Sequence, residues 1–304
     1  MKAKNLSLAV GIVAVVVSLL MLQERGYAQA GARGNQPPPT AKASAPFDPT
    51  GYWVSLITNS WRVRMVPPPV GDYSSIPLND AARKLADAWD PAKDEAAKLE
   101  CKHYGAASIM WQPTRLHITW QDDQTLKVET DAGTQTRLLK FAPVPPAAPA
   151  GNAPAAGNAP AAGNAPAAGN ATPAVANVAA RPTAAPGPRS WQGNSVAVWE
   201  ARRAAAGGGG GRGVPLPPPG RYLKVTTTNM LAGYLRKNGI PYSENAVLTE
   251  YYDYFQDPDG RTILNITIAV DDPQFLNQRY VVIANFEKEP NAAKWDPSPC
   301  SARW

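Results

Sequence analysis

The stretch from Leu116 to Phe141, LHITWQDDQTLKVETDAGTQTRLLKF, constrains the fold of this chain more than any other. Its Leu, Ile, Val, Thr and Trp residues alternate with polar ones, and two short polar clusters interrupt it. That is the pattern of three antiparallel strands joined by tight turns. Side chains of a strand point alternately to opposite faces, so the turns determine which residues share a face. A three-residue loop at Asp122, Asp123 and Gln124 sets Trp120 opposite Leu126, Ile118 opposite Val128 and Leu116 opposite Thr130. A second loop at Ala132, Gly133 and Thr134 sets Val128 opposite Leu138 and supplies a glycine where positive φ is expected. This register lines up His117, Glu129 and Arg137 as one charged row on the polar face.

The rest of the chain reads as more of the same sheet. Gly51 to Ser55 opens a strand, and SWRVRMV, residues 60–66, reads as a second one ending at the prolines 67–69. In that strand Arg62 and Arg64 share a face, either solvated or turned into a barrel as anion-binding groups. Trp191 to Trp199, Arg221 to Met230 and Tyr280 to Glu287 are further strands, with a polar loop expected over 235–244. Asn245 to Phe255 and Thr262 to Val270 form a hairpin around Asp257-Pro258-Asp259-Gly260. Pairing Asp257 with Arg261 sets Tyr254 opposite Leu264, Tyr252 opposite Ile266 and Glu250 opposite Ile268, which puts Glu250 on the apolar face. A carboxylate there needs a raised pKa, a cationic partner or a rim position open to water. The first two would make Glu250, with Tyr252 beside it, a site candidate.

Between residues 79 and 100 the period becomes helical. Asn79 or Asp80 caps one helix, with Leu85 and Trp89 as its packing face, and Asp90-Pro91 starts a second. The pair reads as a lid across one end of a sheet. Cys101 follows it directly, and Cys300 is the other cysteine. In an oxidising compartment one disulfide is their simplest state, with two free thiols as the alternative.

The compartment is suggested by the start of the chain. Lys2 and Lys4 precede an apolar run from Leu6 to Leu22 and an Ala28-Gln29-Ala30 site, the layout of a secretory signal peptide over 1–30. An uncleaved anchor is the alternative; otherwise no membrane span is expected. Cleavage after Ala30 leaves 27 basic and 23 acidic residues, a scattered charge of +4 that gives no support to nucleic-acid binding. Residues 31–46 read as a disordered lead-in to a single domain over 47–304. Two Pro, Ala and Gly-rich segments interrupt that domain, 142–189 with GNAPAA three times in succession and 204–220 with five consecutive glycines. Both are expected as disordered extensions of hairpin connections.

About nine or ten strands with mostly hairpin connections suit an all-β antiparallel up-and-down barrel with one inserted helical pair, and a two-sheet sandwich would satisfy the same pattern. The segments FDPTGYWVSLIT, WRVRMVPPPVGDY, WDPAKDEAAKLECKHYGAASIM, RLHITWQDDQTLKVETDAGTQTR and GYLRKNGIPYSENAVLTEYYDYF, followed by TIAVDDPQFL, resemble a family of uncharacterised exported bacterial proteins. The last of these is similar to bacterial lipocalin-like β-barrels. The resemblance implies a barrel and an exported location, periplasmic, outer-surface or extracellular, and no activity.

Three functions fit. A barrel can hold a small, partly apolar ligand between Trp and Tyr walls, with Arg62, Arg64, His117, Glu129, Arg137, Glu250 and Tyr252 as polar anchors. A cell-envelope interaction protein would instead have a filled core and an exposed aromatic patch. An enzyme would use His117 with Glu129, or Glu250, although neither forms a recognisable catalytic signature. No cofactor is indicated. Two histidines, His103 and His117, exclude a multi-histidine metal centre, and Ile268 at the twelfth position removes the calcium-loop reading of 257–268.

Overall fold

A computed structural model describes residues 39–141, 187–201 and 221–303, with the side chains of Ala201 and Arg221 excepted. The expected signal peptide, half of the lead-in, nearly all of the first insert and the whole of the second lie outside the described residues. The strands are β1 (Gly51–Leu56), β2 (Arg115–Asp122), β3 (Thr125–Thr130), β4 (Gln135–Phe141), β5 (Asn194–Ala201) and β6 (Arg221–Thr228), then β7 (Gly233–Arg236), β8 (Ile240–Tyr242), β9 (Val247–Gln256), β10 (Thr262–Asp271) and β11 (Tyr280–Glu289). Four short helices lie between β1 and β2: α1 (Trp61–Met65), α2 (Asp80–Asp87), α3 (Pro91–Ala96) and α4 (Ala106–Ile109), with a 3-10 turn at Glu100–Tyr104. None of the helices among the described residues is long and apolar enough to cross a membrane.

Nine strands close into a barrel in the order β1-β11-β10-β9-β6-β5-β4-β3-β2, with β2 pairing back to β1, while β7 and β8 form a ribbon of their own. A closed ring with an odd number of strands cannot alternate direction throughout. The barrel is therefore mixed rather than purely antiparallel, and the parallel pair is β4 with β5. Parallel neighbours need a long crossover. The chain between Phe141 and Asn194 supplies it, so the first insert is a crossover and not the hairpin extension expected from sequence. The second insert does join an antiparallel pair, β5 and β6.

The first turn of the meander holds the expected pairings, Trp120 with Leu126, Ile118 with Val128 and Leu116 with Thr130, although a bulge between Trp120 and Asp122 shortens the loop to Asp123 and Gln124. The second turn differs by one residue. Val128 faces Arg137, not Leu138, because the turn takes four residues, Asp131 to Thr134. Buried Asp131 anchors it, accepting from the backbone N–H of Arg115 (2.7 Å) and from the Arg115 guanidinium (2.7 Å), and Gly133 and Thr134 both adopt positive φ. A one-residue shift exchanges the faces of a strand. Arg137 and Leu139 consequently point into the barrel, and Arg137 leaves the charged row.

The β9–β10 hairpin pairs as the sequence predicts, with Glu250 opposite Ile268 and Asp257 N–H donating to the Arg261 carbonyl (2.9 Å). Residues 61–65 form α1 instead of a strand, entered through Ser60 in the left-handed region. Alternation of five residues between a turn and three prolines suits one helical turn and a half as well as a strand. Asn79 and Asp90 cap α2 and α3 through their side chains as expected, accepting from the N–H of Ala82 and Ala92. The buried face of α2 is Ala82 and Ala86, however, and Leu85 is exposed, since small residues let the helix lie close to β8. The expected polar loop over 235–244 contains the β7–β8 ribbon, whose Leu235, Ile240 and Tyr242 are buried.

Side chains fill the barrel. Trp53, Leu116, Ile118, Leu139, Tyr252 and Phe286 are all fully buried. The packed chain begins before Phe47: Ala41 is buried and its carbonyl accepts from Trp199 Nε1 (2.9 Å), while Phe47 stacks on Tyr254 (5.4 Å) across one barrel mouth. Ile109 and Met110 close the opposite end, where a Cys101–Cys300 disulfide ties the C-terminal tail to the turn after α3.

Candidate functional site

The sequence-derived candidates fall into three separate places. Arg137 and Glu250 meet inside the barrel, 1% and 0% exposed, in a two-pronged pair with Nη1 to Oε1 3.0 Å and Nη2 to Oε2 2.6 Å. Thr227 Oγ1 accepts from Nη2 (3.2 Å), Ser195 bonds Thr227 (2.8 Å), and the Tyr252 hydroxyl lies 3.5 Å from Glu250 Oε1. Burial opposes the charge on Arg137, but the Glu250 carboxylate outweighs it and holds the guanidinium above its ordinary pKa. The need for a cationic partner at Glu250 is met from within the fold, by a strand expected to face outward.

His117 and Glu129 remain outside, paired at 3.1 Å and partly exposed, with Lys127 also on Glu129 (3.0 Å) and Tyr52 stacked on the imidazole (4.2 Å). This is a solvated cross-strand ladder, worth a few tenths of a kcal/mol per pair. Arg62 is exposed and only loosely paired with Asp72 (3.7 Å). Arg64 is buried, with Nε donating to the Trp111 carbonyl (2.8 Å).

None of these residues lines the cleft at the helical end of the barrel, about 410 Å³ between α2–α3 and the β7–β8 ribbon. Its aromatic walls are Trp89, Tyr234, Tyr242 and Phe275, with Asp90, Lys93, Asp94 and Lys102 as charged groups. Proline at the first position of α3 and the Asp90 cap begin that helix, and its first turn places Asp94 against the ribbon. The Asp94 carboxylate accepts from Lys102 Nζ (2.7 Å), the Tyr234 hydroxyl (2.8 Å) and Trp89 Nε1 (3.0 Å). Burial alone would push the Asp94 carboxyl up, but these three donors outweigh it and hold it below the usual range. Burial, then Asp94, raises the Tyr234 phenol. His103 packs against the rings of Tyr234 (4.8 Å) and Trp89 (5.8 Å), and burial keeps it neutral by lowering its pKa to about 3.

Family models, curated proteins and solved structures give no match to this chain.

The polar groups of the cleft are largely spent on one another. Asp94 is ionised, Tyr234 is protonated and both are saturated by each other, Lys102 and Trp89, so this cluster has no proton to exchange near neutral pH. The Tyr242 hydroxyl is different. It is fully buried, wedged between Gly105 and Gly233 where any Cβ would collide with it, and has no hydrogen-bond partner among the described residues. Sequence reasoning missed these residues because Asp94 sits in a run, KDEAAKLE, that looks solvated on all sides. Its partners come from positions 89, 102 and 234, and no local spacing links them. Among the described residues no cluster of His, Cys, Asp and Glu could hold a metal ion.

Proposed function

We propose that this chain is an exported periplasmic or surface protein that binds a small, partly apolar ligand, in the cleft at the helical end and not in the barrel lumen. The observation that carries this reading is the contrast between the two places. The lumen is filled by large side chains and the Arg137–Glu250 pair, whereas the cleft has aromatic walls, charged groups at its edge and a volume in the range of small-ligand sites. The barrel then serves as a rigid support for the ribbon and helices that shape the cleft. Export rests on the signal-like N-terminus and agrees with the disulfide.

Native mass spectrometry of the full chain, expressed with its N-terminus and recovered oxidised from the envelope, tests both parts. The mature chain should begin at Gly31 and carry extra mass that denaturation releases. Gly239 has φ +81°, and a Cβ there would collide with the Trp89 ring, so Gly239→Ala should displace Trp89 and abolish the extra mass. Phe275→Ala, which strips one aromatic wall of the cleft, should weaken binding by about 10-fold or more. Extra mass retained unchanged in both variants would refute the cleft as the site. A second reading, an envelope interaction protein, is favoured by Trp61, Met65 and Val66, which are 67%, 57% and 62% exposed along α1 and its exit. It gains if the wild-type chain binds nothing small and a Trp61→Ser variant loses envelope association.

A further inference from the structure

Among the described residues three arginines are buried, Arg64, Arg137 and Arg236. Arg137 has the Glu250 carboxylate. Arg64 and Arg236 are nearly as deeply buried, 5% and 6% exposed, yet among the described residues neither has a carboxylate within ion-pair distance. Their partners are neutral: Arg64 donates through Nε to the Trp111 carbonyl (2.8 Å) and weakly through Nη2 to Ser55 Oγ (3.4 Å), and Arg236 donates through Nη1 to the Ser74 carbonyl (2.9 Å). Both guanidiniums lie over the Trp111 ring, at 5.4 and 5.3 Å from its centroid. Among the described residues three donors are buried and without a close partner, Arg64 Nη1, Arg236 Nε and Trp111 Nε1, although the Tyr280 hydroxyl lies beside Arg236 and interacts with its guanidinium.

We propose that Arg64, Arg236 and Trp111 form a binding site for one small monovalent anion of halide size. Two cations around one indole repel each other and have been withdrawn from water, an arrangement that cation–π contact offsets only in part. An anion between them supplies the missing counter-charge and accepts from the spare donors. The cavity bounded by Arg64, Trp111, Gln112, Arg236 and Lys237 measures about 10 Å³, near the space one water-sized sphere occupies. That space suits a single small anion such as chloride or bromide.

The remaining neighbours agree with this charge. The Tyr280 hydroxyl, beside both arginines, is buried with its pKa raised by burial and is neutral. Lys237 adds positive charge when protonated, and burial pulls it down to about 6. Asp72, the carboxylate whose field reaches Arg236, is bound by the Ser74 hydroxyl and N–H and faces Arg62. Arg64, lowered by burial to about 10, keeps its charge at neutral pH. The site is independent of the ligand cleft, whose lining it does not share.

The test uses the full oxidised chain exchanged into sodium gluconate and titrated with chloride, bromide or sulfate at constant ionic strength, with Tm as readout. Chloride and bromide should give a saturable rise, about 3–6 °C at ten times Kd, and sulfate none. Arg64→Met and Arg236→Met should each lose the halide response while being no less stable than wild type in gluconate, because each removes an uncompensated cation. An equal response to sulfate, a non-saturating halide response, or a halide response retained in both variants would overturn the proposal. If a variant fails to fold, bromide quenching of tryptophan fluorescence decides: it should saturate in wild type and lose that component in Trp111→Phe, and quenching that is the same in both proteins refutes the site.

Discussion

Replacing Glu250 by Gln should be among the most damaging single substitutions in the barrel. The change keeps the shape of the side chain and removes its charge, so packing is preserved and the Arg137 guanidinium is left uncompensated at 1% exposure. Breaking a buried pair in this way costs about 3–5 kcal/mol. Arg137→Met should cost a similar amount at pH 7, because it strands the Glu250 carboxylate with only the Tyr252 hydroxyl 3.5 Å away. A carboxyl left alone there would have its folded pKa raised above the unfolded value of about 4.3. The Arg137→Met deficit should therefore be full above the raised folded pKa, shrink as pH falls below it and be least below about 4.3, where both states are protonated. The double variant Arg137→Met/Glu250→Leu removes both charges with little change in volume, and should lie near or above wild type in stability. Urea denaturation of the oxidised chain at pH 7, with Arg137→Met and Glu250→Leu as the single variants of a double-mutant cycle, measures the coupling. A Glu250→Gln cost below about 1 kcal/mol, or a double variant as unstable as the sum of the singles, would refute the assignment of this pair as the polar centre of the core.

Two further outcomes follow from the helical end. Reducing the Cys101–Cys300 bond, which spans 199 positions, should lower stability by about 2–5 kcal/mol and make the tail after Glu289 susceptible to protease; unchanged urea midpoints with and without reductant would contradict this. His103 is held near pKa 3 against 6.5 in the unfolded chain, so the unfolded state binds more protons between those values and stability is lost as pH falls through that window. The slope should reach about 1.4 kcal/mol per pH unit, close to 2 kcal/mol lost by pH 5, and His103→Gln should remove that part of the pH dependence; parallel urea midpoints for the two proteins at pH 7 and 5 would rule it out.

Much of the sheet was legible because strand signals are local. Alternation and turn chemistry within a few residues gave the β9–β10 register residue for residue, and with it the placement of Glu250 on the apolar face. The same reasoning failed at the next scale down in α1, where five alternating residues are too few to separate a period of 2 from one of 3.6. It failed at Arg137 for a different reason. Asp131 is captured by Thr114 and Arg115, which come from the neighbouring strand, and that capture lengthened a turn by one residue and turned Arg137 inward.

What the sequence by itself determined was therefore the material: strands, caps, a pair of cysteines, an acidic residue facing the core and aromatic residues enough to fill a barrel. Tertiary structure decided which charges meet. Arg137 and Glu250 are 113 positions apart, Asp94 and Tyr234 are 140 apart, and Arg64 and Arg236 converge on Trp111 from different elements. Local chemistry is encoded by neighbours in the chain, because backbone preference and turn geometry act over four or five residues. Burial and electrostatic partnership are set by whatever arrives from elsewhere when the ring of strands closes, so the barrel's inner ion pair, the cleft and the paired cations around Trp111 exist only once it has closed.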